Sequence, residues 1–290
     1  MHPFIRATCL VMLPLAMIAP ASSAEFSARD LAAEEGKFAA HSVKHGMRAA
    51  FIEFFAAKSW LLRPEPVDAQ AWLQARPDPA IVIDWKSQRT ILSASGDLGF
   101  STGPSIYRSK TDPKAPAAHG QFFSIWQKQA NGEWKVFIDH GISHGPTATP
   151  DALPTDRLIT LDLARATPAA ATASEDAEAR FVARGHAGYA DVITPRTRLL
   201  RNGHFPIDGE TAIADYLKTA EGQWSWTVKL QGASRANDFA YAVGNYTWQP
   251  KTGAAQKGQY VRVWVRDASV APVRWTLGAE VITPAPAPKT

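Results

Sequence analysis

The sequence predicts an α+β fold in two tandem copies, each with N-terminal helices packed under a bent antiparallel sheet. Three observations carry this. Helical spacing comes first and strand-like runs follow, a sequence order that separates helices from sheet. Blocks of similar sequence recur in the same order about 141 residues apart. Turn signals such as Asn131-Gly132 separate alternating runs, as in β-hairpins.

In the first copy, Leu31, Glu34, Glu35, Phe38, Ala39 and Val43 have helical spacing, which Gly46 interrupts. Met47 to Ala57 reads as a second helix, and Ser59 to Leu62 as a short strand. Asp68 can cap a third helix running to Arg76. Strands are expected at Ile81–Trp85, Thr90–Ser95, Leu98–Arg108, Gln121–Lys128 and Trp134–Ile142. The repeat joins Asp97 to Asp238, Gly103 to Gly244, Trp85 to Trp226 and Trp134 to Trp275 at one offset. Gly120–Trp126 matches Gly258–Trp264, and Leu61-Leu62-Arg63 matches Leu199-Leu200-Arg201. Turn formation accounts for Asp97 and Asp238, each beside Gly or Asn before a strand.

Arg6, the apolar stretch Ala7–Pro20 and the small residues Ser22-Ser23-Ala24 read as a signal peptide cleaved after Ala24. The expected location is the periplasm or outside the cell, with no membrane contact after removal. The competing reading, an N-terminal anchor, fits less well because the stretch is shorter than the ~20 residues of a spanning helix. The one cysteine, Cys9, falls in this leader, so the processed chain has no thiol for a disulfide or a metal. Net charge is +4 with no basic run, which argues against a nucleic-acid surface. The domain layout is then leader 1–24, first domain 25–145, Pro/Ala-rich linker 146–174, second domain 175–283 and disordered tail 284–290. Within the linker, Arg157 to Leu163 alternates enough for one short strand.

The runs Asp97–Gly103, Gly120–Trp126 and Gly132–Val136, with Asp139 and His140, resemble the nuclear-transport-factor-2-like superfamily. More narrowly, they are similar to the bacterial domain-of-unknown-function 4440 group, related to ketosteroid isomerase. The resemblance implies two tandem cone-shaped barrels, each enclosing a pocket. It implies function only loosely, because one such fold hosts isomerases, dehydratases, cyclases and binding modules. Ketosteroid isomerases place a carboxylate base after the second helix, whereas Ala57–Arg63 holds none and Phe38 stands where a tyrosine would help.

Ten tryptophans are the most suggestive chemistry, since Trp offers a large apolar body and one N–H donor. Trp60, Trp85, Tyr107, Gln121, Trp126 and Asp139 are the expected ligand-binding residues of the first copy. In the second copy Tyr189, Trp226, Tyr246, Trp248 and Trp264 form a similar set. The competing reading for each is ordinary core packing. Asp139 and His140 are the catalytic candidates, and as strand neighbours only one can enter a pocket. Asp139 also reads as a surface carboxylate on the same face as Lys135. His41 with His45, and His140 with His144, have i, i+4 spacing but no apparent third ligand, so no metal and no cofactor is expected. Three functions stay open: a pocket protein for a small apolar or aromatic molecule, an isomerase or lyase working by proton transfer in the first pocket, and a non-catalytic interaction module. The two domains are expected to pair with each other, and a homodimer is a further option. If one pocket works, the first is favoured for its fuller family pattern.

Overall fold

The computed structural model describes residues 26–63, 65–146, 157–162, 174–267 and 273–285. The leader, most of the linker and the last five residues of the tail lie outside these.

The first half begins with α1 (Ala28–His45) and α2 (Met47–Phe54). Gly46 breaks them apart at φ 94°, a conformation that suits a residue without Cβ. The second helix ends at Phe54, earlier than its apolar pattern suggests, because β1 (Phe55–Leu62) already pairs with β7 at Phe55. β2 (Pro66–Asp68) and α3 (Ala69–Gln74) follow, with the Asp68 carboxylate accepting from the Ala71 N–H at 2.7 Å. The remaining strands are β3 (Ile81–Trp85), β4 (Arg89–Leu92), β5 (Leu98–Ser109), β6 (Ala118–Lys128) and β7 (Trp134–His144). Sheet order is β2-β1-β7-β6-β5-β4-β8, with β3 also paired to β5. β8 (Arg157–Thr160) is the linker strand, lying parallel to β4 at the sheet edge.

The second half repeats the plan: α4 (Ser174–Arg184), a 3-10 turn and the short α5 (Tyr189–Val192), then β9 (Arg198–Arg201), β10 (Ile207–Asp208), α6 (Glu210–Thr219), β11 (Gly222–Ala233), β12 (Phe239–Pro250), β13 (Gln256–Asp267) and β14 (Arg274–Pro284). Its sheet order is β10-β9-β14-β13-β12-β11. Pro284, expected in the tail, is the last residue of β14, and the Ala285 N–H bonds to the Lys257 carbonyl. Among the described residues no helix is long and apolar enough to cross a membrane.

Pleat alternation divides the side chains between three cores. One face of the first sheet packs on its helices through Leu31, Phe38, Trp85, Phe122 and Trp126. The second sheet does likewise through Phe181, Tyr189, Trp226, Tyr260 and Trp264. The opposite faces meet each other: Phe100, Phe123, Ile125 and Ile138 share one cluster with Phe239, Val243, Val261 and Val263. Burying both faces of each sheet is what lets small domains without disulfides hold a core.

The turn aspartates do more than form turns. Asp97 Oδ1 accepts from Ser95 Oγ and its Oδ2 from the Arg235 N–H of the other half at 3.1 Å. Asp238 reciprocates, accepting from Ser234 Oγ and from the Ala94 N–H at 2.8 Å. Gly96 and Asn237, at φ 59° and 51°, shape the two matching turns. Each half thus caps the other's turn, the reciprocity of a two-fold contact. Asp238 is the more deeply buried partner, at 2% exposure. Asp238→Ala is expected to lower unfolding free energy by about 1–3 kcal/mol, more than Asp97→Ala, as read by urea denaturation.

Candidate functional site

A β-bulge decides which side chains enter the first cone. Between β6 and β7, Trp126 pairs with Val136 but Ile125 pairs with Ile138, so Phe137 is the extra residue. One extra residue reverses the alternation beyond it. Asp139, which without a bulge would share a face with Lys135, is turned inward opposite Ser124, whose Oγ donates to Asp139 Oδ1 at 3.1 Å. The reading of Asp139 as a surface carboxylate is therefore corrected. His140 goes to the other face, where its Nε2 bonds with Thr283 Oγ1 of the second half at 2.8 Å. As a base for the pocket it is excluded by position. Burial pushes its pKa down to about 3, and the Arg63 charge adds to the shift, so it stays neutral.

Deeper in the first cone, Glu35 projects from α1 and is fully buried. Its two oxygens accept from the indole N–H groups of Trp85 at 2.7 Å and Trp126 at 2.6 Å. Burial pushes its pKa up to about 8 against the pull of these bonds, with the Asp139 charge adding to the rise. Burial likewise raises Asp139 to about 7, opposed by Arg63 and Ser124. Tyr107 stands near the same carboxylate, its hydroxyl accepting from Ser105 Oγ at 3.5 Å.

The second cone is plugged below and open above. Arg262 is fully buried, and its Nη1 and Nε donate to Glu178 and Glu280, each at 2.6 Å. Glu280 is also paired with Arg201 and accepts from the Tyr189 hydroxyl. Two flanking guanidiniums hold the Glu280 carboxyl below its ordinary range despite burial. Above this network opens a cavity of about 350 Å³ whose lining includes Arg201, Tyr216, Trp224, Tyr246, Trp248 and Ile282. Trp224 stacks between Trp226 and Trp248 at centroid distances of 5.0 and 5.3 Å.

No family model matches the chain, and no curated protein matches it in sequence. Solved structures do resemble it. A nuclear-transport-factor-2-like protein of unknown function from Shewanella oneidensis aligns at 16% identity over 38% of this chain and 98% of its own, with a TM-score of 0.31. A ketosteroid isomerase-like protein from Erwinia carotovora atroseptica aligns at 13% identity over 39% and 94%, with a TM-score of 0.34. A nuclear-transport-factor-2-like protein from Rhodospirillum rubrum, of unknown function in nutrient uptake, aligns at 11% over 39% and 98%, with a TM-score of 0.32. In both halves of this chain, helices lie under a sheet whose first strand after them runs parallel to the last. The two halves share this α+β plan.

Within the first half, the interior gathers Trp85, Tyr107, Trp126 and Asp139 from the expected set. Trp60 and Gln121 are not with them. Trp60 packs against the core shared by the two sheets, and Gln121 Nε2 lies 3.2 Å from His144 Nε2 on that same outer face. The His41 and His45 rings lie tilted to each other on α1, with centroids 4.4 Å apart. Among the described residues no group of three His, Cys, Asp or Glu side chains could hold a metal ion. Glu35, Ser124, Glu178, Arg201 and Arg262 were missed. The signal for the two glutamates was present: each stands three residues before the phenylalanine on its helix's apolar side, Phe38 or Phe181. The aromatic cavity belongs to the second unit, whereas the sequence favoured the first.

Proposed function

We propose that this protein is an exported, non-catalytic binder of a small aromatic molecule, taken up at the mouth of the second nuclear-transport-factor-2-like unit. The carrying observation is the cavity of about 350 Å³ with Tyr216, Trp224, Tyr246 and Trp248 in its walls. That volume lies at the small end of ligand pockets, and aromatic walls beside polar groups such as Asn202, His204 and Gln256 suit a flat aromatic guest that carries a polar substituent. The paired network beneath supports the same reading. Arg201 and Arg262 both pair with Glu280, which makes a rigid floor and ties up that carboxylate beneath the guest. Export rests on the leader-like N-terminus.

The test is a fragment screen on the chain followed by the indole N–H resonances in NMR. Aromatic fragments are expected to shift Trp224 and Trp248 together. Trp248→Ala is expected to weaken the best fragment by about tenfold or more, the scale of losing one stacking wall. Fragments that leave both resonances unmoved, or bind Trp248→Ala equally well, would overturn the proposal.

A further inference from the structure

The two interiors differ at one position that matters for charge. Ser124 faces Asp139 and Arg262 faces Glu280 in the same register, each one step past its sheet's bulge. In the second half the Arg262 guanidinium sits in an aromatic cage, its carbon 4.2 Å from the Phe181 ring centroid, 4.0 Å from Trp226 and 4.1 Å from Tyr260. Glu178 and Glu280 neutralise it. The first half supplies a counterpart for every wall: Phe38, Trp85 and Phe122 for the rings, Glu35 and Asp139 for the carboxylates. What it lacks is the cation, because Ser124 ends at a hydroxyl.

We propose that the interior of the first half binds a small organic cation, a protonated amine or guanidine, seated between Glu35 and Asp139 and against Phe38, Trp85 and Phe122, where the second half holds its own Arg262. The second half serves as an internal complex of this site, with the ligand covalently attached. This site is separate from the aromatic cavity proposed above.

Three further observations support it. Asp139 keeps partial solvent exposure while Glu280 has none, and its Oδ2 has no partner among the described residues. Arg63, the counterpart of Arg201, does not take the vacant role: both donate Nη1 to the preceding residue's carbonyl, but Arg201 also pairs with Glu280, whereas no ion pair joins Arg63 to Asp139 among the described residues. The rings have also shifted. Phe38 and Trp85 close to 4.7 Å, against 6.1 Å for Phe181 and Trp226, while Trp85 and Phe122 stand 6.3 Å apart, against 5.1 Å for Trp226 and Tyr260. An entering cation moves Trp85 off Phe38 and onto the cation's face.

The groups facing the site are Glu35, Asp139, Arg63 and Tyr107. Without a cation, burial favours the neutral carboxylic acids. A bound cation favours their ionised forms, so binding releases protons and tightens as pH rises to about 8, where Glu35 ionises unaided.

The experiment titrates the chain with ethylguanidinium, the part of an arginine side chain beyond Cβ, and with neutral ethylurea. Calorimetry and the Trp85 and Trp126 indole resonances are read at pH 8 and pH 5.5. Expected are saturable shifts of both resonances by ethylguanidinium, at least about tenfold preference over ethylurea, and at least about tenfold weaker binding at pH 5.5. Ser124→Arg, checked for folding by its unfolding midpoint, is expected to abolish binding. Equal affinity for the urea, no shift of Trp85 and Trp126, or undiminished binding to folded Ser124→Arg would each overturn this site. Shifts at Trp224 and Trp248 alone would overturn it too, while leaving the aromatic cavity standing.

Discussion

Arg262→Met is expected to lower the unfolding free energy by about 3–5 kcal/mol at neutral pH, measured by urea denaturation. Removing one member of a buried ion network leaves the other charges without compensation, and that loss exceeds what the intact pair contributes over an apolar replacement. Here Glu178 would lose its guanidinium, and Glu280 would keep only Arg201 and Tyr189. The pH dependence follows from Glu280, whose folded pKa lies below its ordinary 4.5. A depressed carboxyl contributes its stability in full above the unfolded value and loses it as pH falls through the folded one. The cost of Arg262→Met is therefore expected to be largest at neutral and alkaline pH and to shrink in acid. A cost that grew on acidification would contradict the assigned charge network.

Glu35→Leu should show the opposite trend. The substitution leaves the N–H groups of Trp85 and Trp126 buried without an acceptor, a loss of roughly 2–6 kcal/mol for the pair. Burial raises the Glu35 pKa from 4.5 to about 8. A raised carboxyl contributes its stability in full below the unfolded value, and the contribution falls as pH climbs toward the folded one. Wild type and variant are therefore expected to differ most near pH 5 and least above pH 8. Measuring both variants across pH 5 to 9 compares the two interiors, one closed around its own cation and one without.

The difference between the halves was only partly legible in the sequence. The pleat rule established that Asp139 and His140 part company, but not which of them turns inward. That choice belongs to the bulge at Phe137, set by how β6 and β7 pair around the helices, and no residue type signals it locally. The same register assigns Trp60 and Gln121 to the outer face. The aromatic residues were recognised by type alone. Type cannot tell a cone wall such as Trp248 from a glutamate cap such as Trp126. Arg262 carried no local signal of its role, because its partners Glu178 and Glu280 lie far from it along the chain.

The sequence by itself determined the α+β class and the paired plan of helices under a bent sheet. Those follow from local periodicity, turn chemistry and internal similarity, all of which act over a few residues at a time. Only the tertiary structure decided that the second interior is closed by its own guanidinium, that the aromatic cavity opens above it, and that the two sheets share a core. Each depends on long-range pairing that brings buried charges and rings together, and a buried carboxylate's meaning is set by what neutralises it rather than by its place in the chain.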